Sequence, residues 1–556
     1  MRTFRPLGAL LAACLLVGAS GAPPAPAGGL DGRLAQLVAS GELDPSRADL
    51  YRLYAVVAAE RLPPAFRAAP PDDRAPRVGG ARGEGTAWMH RCGTPVLRGV
   101  KHRLAALSPA DRAEAEALLA PPARAAPRAV VSSDTGKTGE TVLPNFVVTR
   151  NFTVEWGPAL TNEDGSLPLR DLDANGIPDV VERWAELFEA SFEAVAEVLK
   201  PGDPASVYAG TPLATRLVPV YLGNSSEAET IENISSGTYA FTQDSAPVPY
   251  VVVNNDLRFV PPNDEGATTA ARIRGAMKIT AAHEFFHVIH FVYEPAAWIP
   301  SADDWWLETS ATWMEDEVFP DVNDHYQYFG INGWPSTVEE GLAVNFSDSR
   351  YVVRAYGGVI FAKYLSEHVG GSAMMGEVWD LIRSDPPPGR RILDALEAYA
   401  ISTGFRGLGE LFLGFAGANA VMDYEEGPHY GSVPRTSGID GLRFFGLGYL
   451  GARYRFEDAV SGEIVLTYAT PTESGWGIAA VFQDPATGAY VYRTALAADG
   501  EVTLPLDVPS GVRLHVAAAR VTAAAVPAEP PPASSGGGGG GGCFLQALRG
   551  GLWGVP

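Results

Sequence analysis

The sequence predicts an α+β protein: a helical N-terminal segment, a mixed body containing one long central helix, and a small β-sandwich near the C-terminus. Two observations carry this. Apolar residues recur at three- and four-residue intervals before residue 128, then mostly in short alternating runs that are interrupted by helical stretches. The charge balance changes at the same place: 17 basic and 11 acidic residues stand up to Arg128, against 25 basic and 54 acidic beyond it. Over all 556 residues the net charge is −23, which argues against nucleic acid as a partner, because phosphate binding needs a basic surface. Three cysteines are too few for a disulfide framework.

The elements follow in order. Arg2 and Arg5 precede an apolar stretch from Leu7 to Val17 and then small residues, which reads as a secretory leader over 1–22 and predicts a secreted or cell-surface protein. Residues 29–128 read as short helices, with LDGRLAQLVASGEL, SRADLYRLYAVVAAERL and a helix opened by Ser108-Pro109. A linker, VVSSDTGKTGET, leads into the main body over 141–430. There PNFVVTRNFTVEW, RLVPVYLG, GTYAFTQ and PYVVVNND alternate as strands, VVERWAELFEASFEAVAEVL reads as an amphipathic helix, and a further helix is expected over 268–292. Residues 441–525 read as the sandwich, and 526–556 as a Gly-rich tail. Beyond the leader, no apolar run reaches the length of a membrane span.

The chemistry concentrates in AAHEFFHVIHF. His283 and His287 are four apart, so on a helix both imidazoles project from one face and can hold one ion. Glu284 stands beside the first of them, where a carboxylate can take a proton from a water whose pKa a zinc ion has lowered. A catalytic zinc needs a third protein ligand. The position six residues after His287 is Tyr293, which is no ligand for zinc here, whereas WWLETSATWMEDE offers Glu308 in an apolar setting 21 residues on. Glu315 and Asp316 are weaker candidates for that role.

HEFFH with the later Glu308–Ala311 ExxA resembles the zincin metallopeptidases, specifically the gluzincin branch. The resemblance covers about residues 250–316. It implies a zincin-like fold with a mixed sheet and an active-site helix, His283, His287 and Glu308 as zinc ligands, and Glu284 as general base and acid. It also implies an edge strand that pairs with the backbone of a protein or peptide substrate, and PYVVVNND holds that place in the sequence. The whole arrangement resembles an uncharacterised group of bacterial secreted metalloproteases with a pro-segment. Two departures stand out. Where the family has an Asp to orient the first His, this chain has Thr312, so that support must come from elsewhere. The family's oxyanion-stabilising Tyr or His has Tyr356 and His290 as candidates.

Three further motifs carry expectations. DLDANGIPDVVE matches an EF-hand-type calcium loop, with Asp171, Asp173, Asn175, Asp179 and Glu182 as side-chain ligands, Ile177 offering its carbonyl, and Gly176 at the turn. RCGTP, containing Cys92, resembles the cysteine-switch motif of matrix metalloproteinase pro-segments, a different zincin branch, which implies a thiolate held at the open zinc position. Leu11-Ala12-Ala13-Cys14 resembles a lipoprotein lipobox, and the tail around Cys543 resembles those of some bacterial surface proteins, which implies a lipid or surface anchor. The reading is a secreted zinc endopeptidase with structural calcium, made as a zymogen. Its rival is a non-catalytic, calcium-stabilised surface or adhesion protein with a vestigial zinc site.

Overall fold

The computed structural model describes residues 30–66, 92–120, 127–157, 160–222, 237–294, 303–329, 334–343, 352–383, 391–471 and 475–522. The leader, Cys14 and the tail with Cys543 lie outside them. The N-terminal segment is helical as expected, with α1 (Leu30–Ala39), α2 (Pro45–Val57), α3 (Thr94–Arg103) and α4 (Pro109–Leu119). Capping chemistry sets two of the starts. The Asp44 side chain accepts from the Ser46 N–H and that of Ser108 from the Asp111 N–H, each with proline in the first turn.

The expected linker is instead a hairpin, β1 (Arg128–Val131) paired with β2 (Thr138–Thr141). Its stabilising partners are remote in sequence, which is why local composition did not reveal it. The Thr138 amide donates to the Thr215 carbonyl and the Leu217 amide to Thr138. The amides of Val142 and Leu143 donate to the buried Glu155 carboxylate, each at 2.8 Å.

The body comprises β3 (Asn145–Val148), β4 (Phe152–Trp156), α5 (Asp179–Leu199), α6 (Ala205–Tyr208), β5 (Val218–Leu222), β6 (Ala240–Gln243), β7 (Tyr250–Val253), α7 (Thr269–Tyr293) and α8 (Asp304–Val318). The strands form one mixed sheet in the order β3-β4-β5-β7-β6, with β4, β5 and β7 parallel and the two outer strands antiparallel to their neighbours. PYVVVNND is therefore not the edge: β7 lies inside, between β5 and β6, and β6, from GTYAFTQ, is the edge nearest α7. The unbroken apolar YVVV run, buried at every residue, is the mark of an inner strand.

Side chains alternate across this sheet. Val220, Leu222, Val251 and Val253 face the core shared with α5 and α7. Tyr221, Phe241, Tyr250 and Val252 face the opposite way, into a core completed by Leu50, Leu53, Leu97 and Val100 of the N-terminal helices. The N-terminal segment is thus the third layer of an α/β/α stack. Helix α7 starts at Thr268, whose side chain accepts from the Ala271 N–H, and is buried at nearly every residue from Ala276 on. Among the described residues five further α-helices follow: α9 (Val352–Gly357), α10 (Val359–Leu365), α11 (Met374–Arg383), α12 (Ile392–Ser402) and α13 (Leu408–Val421).

The C-terminal unit is not a two-sheet sandwich. Its strands β8 (Arg435–Ser437), β9 (Ala452–Ala469), β10 (Trp476–Gln483), β11 (Tyr490–Leu496) and β12 (Glu501–Arg520) make one sheet in the order β11-β10-β12-β9-β8. The long β9 and β12 pair along their length, with register shifts between Val508 and Leu514. Such bulges bend a strand pair, and here residues from both arms share one core. Phe444 packs against Tyr468 of one arm and Trp476 beside the other.

Candidate metal centre

Helix α8 is a 15-residue helix in which Asp304, Glu308, Glu315 and Asp316 are all buried. Buried carboxylates need cations or donors, and each of these finds one. Glu308 faces the motif histidines across the α7–α8 contact: its Oε2 lies 3.2 Å from His283 Nε2 and its Oε1 3.1 Å from His287 Nε2. The two Nε2 atoms are 3.1 Å apart. Neither Glu308 oxygen is satisfied by a hydrogen bond. Ligand atoms about 3.3 Å apart are what a tetrahedral zinc with bonds of about 2.0–2.1 Å requires. Cys92 Sγ joins the same cluster: one ligand atom each from Cys92, His283, His287 and Glu308 lie within 4.8 Å of one another. All three donor types, sulfur, imidazole nitrogen and carboxylate oxygen, suit zinc, so the residues fit the ion that the motif implies.

The far side of each imidazole is tied down. His283 Nδ1 lies 2.6 Å from Glu315 Oε1, so Glu315 supplies the orienting carboxylate that position 312 lacks; the Thr312 hydroxyl is buried without a hydrogen-bond partner. Glu308 and Glu315 are seven residues apart, two turns along one helix face, and that spacing was the available signal. His287 Nδ1 lies 3.2 Å from His290 Nδ1, and His290 Nε2 lies 3.2 Å from Ser310 Oγ. His290 also stacks on Trp379. It therefore supports His287 from behind and is no oxyanion donor; burial and the neighbouring histidines push its pKa far down, leaving it neutral.

Charge in the cluster is lopsided. Burial alone would raise the Glu308 pKa, but His287 and His283 more than offset this and bring it to about 2. Burial would lower that of His283, yet its contacts with Glu308 and Glu315 hold it up at about 10. Glu284 is buried and its pKa is raised, chiefly by burial. Thr242 Oγ1, from the edge strand, lies 2.8 Å from Glu284 Oε2 and 2.9 Å from its carbonyl oxygen.

Cys92 reaches the cluster because residues 92–94 run along β6. Cys92 bridges Ala240 in parallel sense, the Gly93 amide donates to the Ala240 carbonyl at 2.9 Å, and the Thr242 amide donates to Thr94 Oγ1 at 2.9 Å. A Cβ on Gly93 would stand 2.5 Å from Val56 Cγ1 and 3.2 Å from Phe241 Cβ, so only glycine permits this approach. The Cys92 thiol is buried, and burial together with Glu284 and Glu308 pushes its pKa well up. A divalent cation at the cluster reverses that balance, because a coordinating thiol is deprotonated. Tyr356 is also here: its hydroxyl accepts from the Cys92 amide at 3.1 Å, and its ring lies 6.2 Å from that of His283. Burial, first of all, keeps its phenol protonated.

A second anchor lies one turn away. Arg98 of α3 is buried, and its Nε and Nη2 lie 3.1 and 3.0 Å from Asp304 Oδ1. Its guanidinium stands over the Phe291 ring at 5.6 Å.

The residues of the 171–182 loop keep the expected turn, with Gly176 at φ +89° and α5 starting at Asp179. Within it, Asp171 accepts from the amides of Asn175 and Gly176, Asp179 from that of Leu172, and Asn175 donates to Asp173 and Glu182. The loop is largely exposed, Ile177 and Asp179 less so. A further group unsuspected from sequence, Asp316, His325 and Glu426, also has ligand geometry. Lys363 already fills it, paired with Asp316 and 3.8 Å from Glu426, so it reads as a buried ion network. Among the described residues no helix is long and apolar enough to cross a membrane. The chain matches no family model and has no significant match among curated proteins.

Proposed function

We propose that this chain is an exported zinc-dependent endopeptidase made as a latent precursor, in which residues 29–128 are the pro-segment and Cys92 is the latch. One observation carries the reading: a two-histidine, one-glutamate donor set with a cysteine sulfur at the same point and a buried carboxylate, Glu284, next to the first ligand. His283, His287 and Glu308 would hold the zinc, with Cys92 as fourth ligand in the precursor. Zinc there supplies Lewis acidity toward a peptide carbonyl and lowers the pKa of water.

The chain's own groups do the rest. Glu284 accepts a proton from the attacking water on its carboxylate and returns it to the leaving amine, with Thr242 holding its orientation. Glu315 and His290 keep both Nε2 atoms aimed at one point. Withdrawal of residues 92–94 frees the backbone of β6 for a substrate strand and frees the Tyr356 hydroxyl from the Cys92 amide to donate to the developing oxyanion. The 171–182 loop would hold a structural calcium ion.

The test is hydrolysis of a fluorescently labelled, unfolded protein by the full secreted chain, before and after limited proteolysis degrades the pro-segment. Activity that appears on proteolysis and is lost both in Glu284→Gln and with a zinc chelator supports the reading. A zinc-loaded, proteolysed chain with no activity overturns the endopeptidase reading.

A further inference from the structure

Arg98 occupies a seat whose position relative to the metal cluster is fixed by helix geometry. Phe291 stands four residues after His287 on α7, and Asp304 four residues before Glu308 on α8. Each is therefore one helical turn, about 6 Å along its axis, from a metal ligand. The guanidinium bridges the two, hydrogen-bonded to Asp304 and set over the Phe291 ring. Asp304 and Arg98 are 2% and 4% exposed, so this is a desolvated pair.

The neighbouring acid makes the contrast. Asp303 pairs with Arg391, a cation of the body. Asp304 pairs with Arg98, a cation of the segment that must leave the cleft if the proposed function holds. Withdrawal of α3 then leaves a buried carboxylate and an aromatic face opening onto the cleft, with Glu308 and Asp303 as further negative charges close by. A buried carboxylate left without its cation is strongly unfavourable, so it has a large affinity for an incoming one. Successive residues of an extended peptide advance by about 3.3 Å, so a side chain one or two positions from the scissile bond can reach a pocket about 6 Å from the metal ligands.

We propose that Asp304 and Phe291 form a specificity pocket for an arginine or lysine side chain within two residues of the scissile bond, which Arg98 fills in the precursor. This rests on the peptidase reading above. A guanidinium fits best, since it both donates to the carboxylate and stacks on the ring.

The experiment uses the full secreted chain after activating proteolysis. Its substrates are quenched fluorescent peptides that differ only in arginine or citrulline, its neutral isostere, at each of the four positions flanking the cleaved bond. At one position arginine raises kcat/KM roughly tenfold to hundredfold over citrulline, the effect expected of a charged hydrogen bond in a desolvated site. In Asp304→Asn that ratio falls to near one, and in Phe291→Leu it falls partway. Peptides cut in the wild type at equal rates in all four positions overturn the pocket while leaving the peptidase reading intact. A ratio unchanged in Asp304→Asn overturns Asp304 as its source. Failure to cut any peptide or the labelled unfolded protein removes the peptidase reading and the pocket together. The wild-type comparison needs no variant, so it decides even if Asp304→Asn does not fold.

Discussion

In the proposed zinc site, the contact that would most directly set metal affinity beyond the ligands is His283 with Glu315. The atoms are 2.6 Å apart, and each side chain is only 3% exposed, so the bond is short, buried and charge-assisted. Glu315→Gln keeps the size and leaves an amide in place of the carboxylate. Hydrogen bonds to charged groups contribute about 1.5–3 kcal/mol, and about 1.4 kcal/mol is a factor of ten, so zinc affinity should fall roughly tenfold to hundredfold. That agrees with the usual cost of removing a group that orients a ligand histidine. The assay is competition with a chromophoric zinc chelator on the full chain at neutral pH, with circular dichroism to confirm that the variant folds. Thr312→Val is the control: its hydroxyl is buried with no hydrogen-bond partner, so affinity should change by less than about threefold. Glu315→Gln within twofold of wild type, or Thr312→Val costing more than Glu315→Gln, would refute the assignment of Glu315 as the orienting carboxylate.

Gly93→Ala should loosen the latch, because the added methyl meets Val56 and Phe241; faster amide exchange over α3 and quicker proteolytic activation of the precursor are the readouts, and unchanged exchange counts against the docking geometry. Because Tyr221, Phe241, Tyr250 and Val252 form the sheet face under the N-terminal helices, a single cut after α4 should leave the cleaved segment bound to the body; size-exclusion chromatography should elute the two pieces together, and their clean separation in buffer would refute this. His515 is held neutral by burial, with Arg435 and Arg513 adding to the effect, and its pKa falls from the usual 6.5 to about 4. The unfolded chain takes up that proton first as pH drops, so this contribution to stability is complete above pH 6.5 and is lost between 6.5 and 4. Melting curves from pH 7 to 4.5 should therefore show wild type losing more than His515→Leu, and equal losses would sink the claim.

What was legible in the sequence was whatever depends on spacing within one element. The i, i+4 histidines with Glu284 between them, the Gly at the turn of the 171–182 loop, the cap at Ser108 and the runs of alternating apolar residues all follow from local geometry, and the structure has them. Cys92 and Glu308 were identified by residue type and motif. Nothing in the chain between Cys92 and His283 dictates that a sulfur and an imidazole 191 positions apart meet at one point; the third layer on the sheet and the parallel run along β6 decide that.

The misreadings share one cause. Strand order, the hairpin at 128–141, the single bent C-terminal sheet and the positions of His290 and Glu315 all depend on which distant groups are available as partners. A β7 that reads as an edge becomes an inner strand because β6 returns antiparallel beside it. Glu315, which reads as a weaker candidate ligand, becomes the buried partner of His283 because α8 has no face left to water over Asp304–Asp316. Local propensity acts over a few residues, whereas burial and the pairing of buried charge act between elements. The sequence alone therefore determined the donor types and their helical spacing, and the packing of α3 and α7 against one sheet edge, with α8 on α7, decided that they meet at one point.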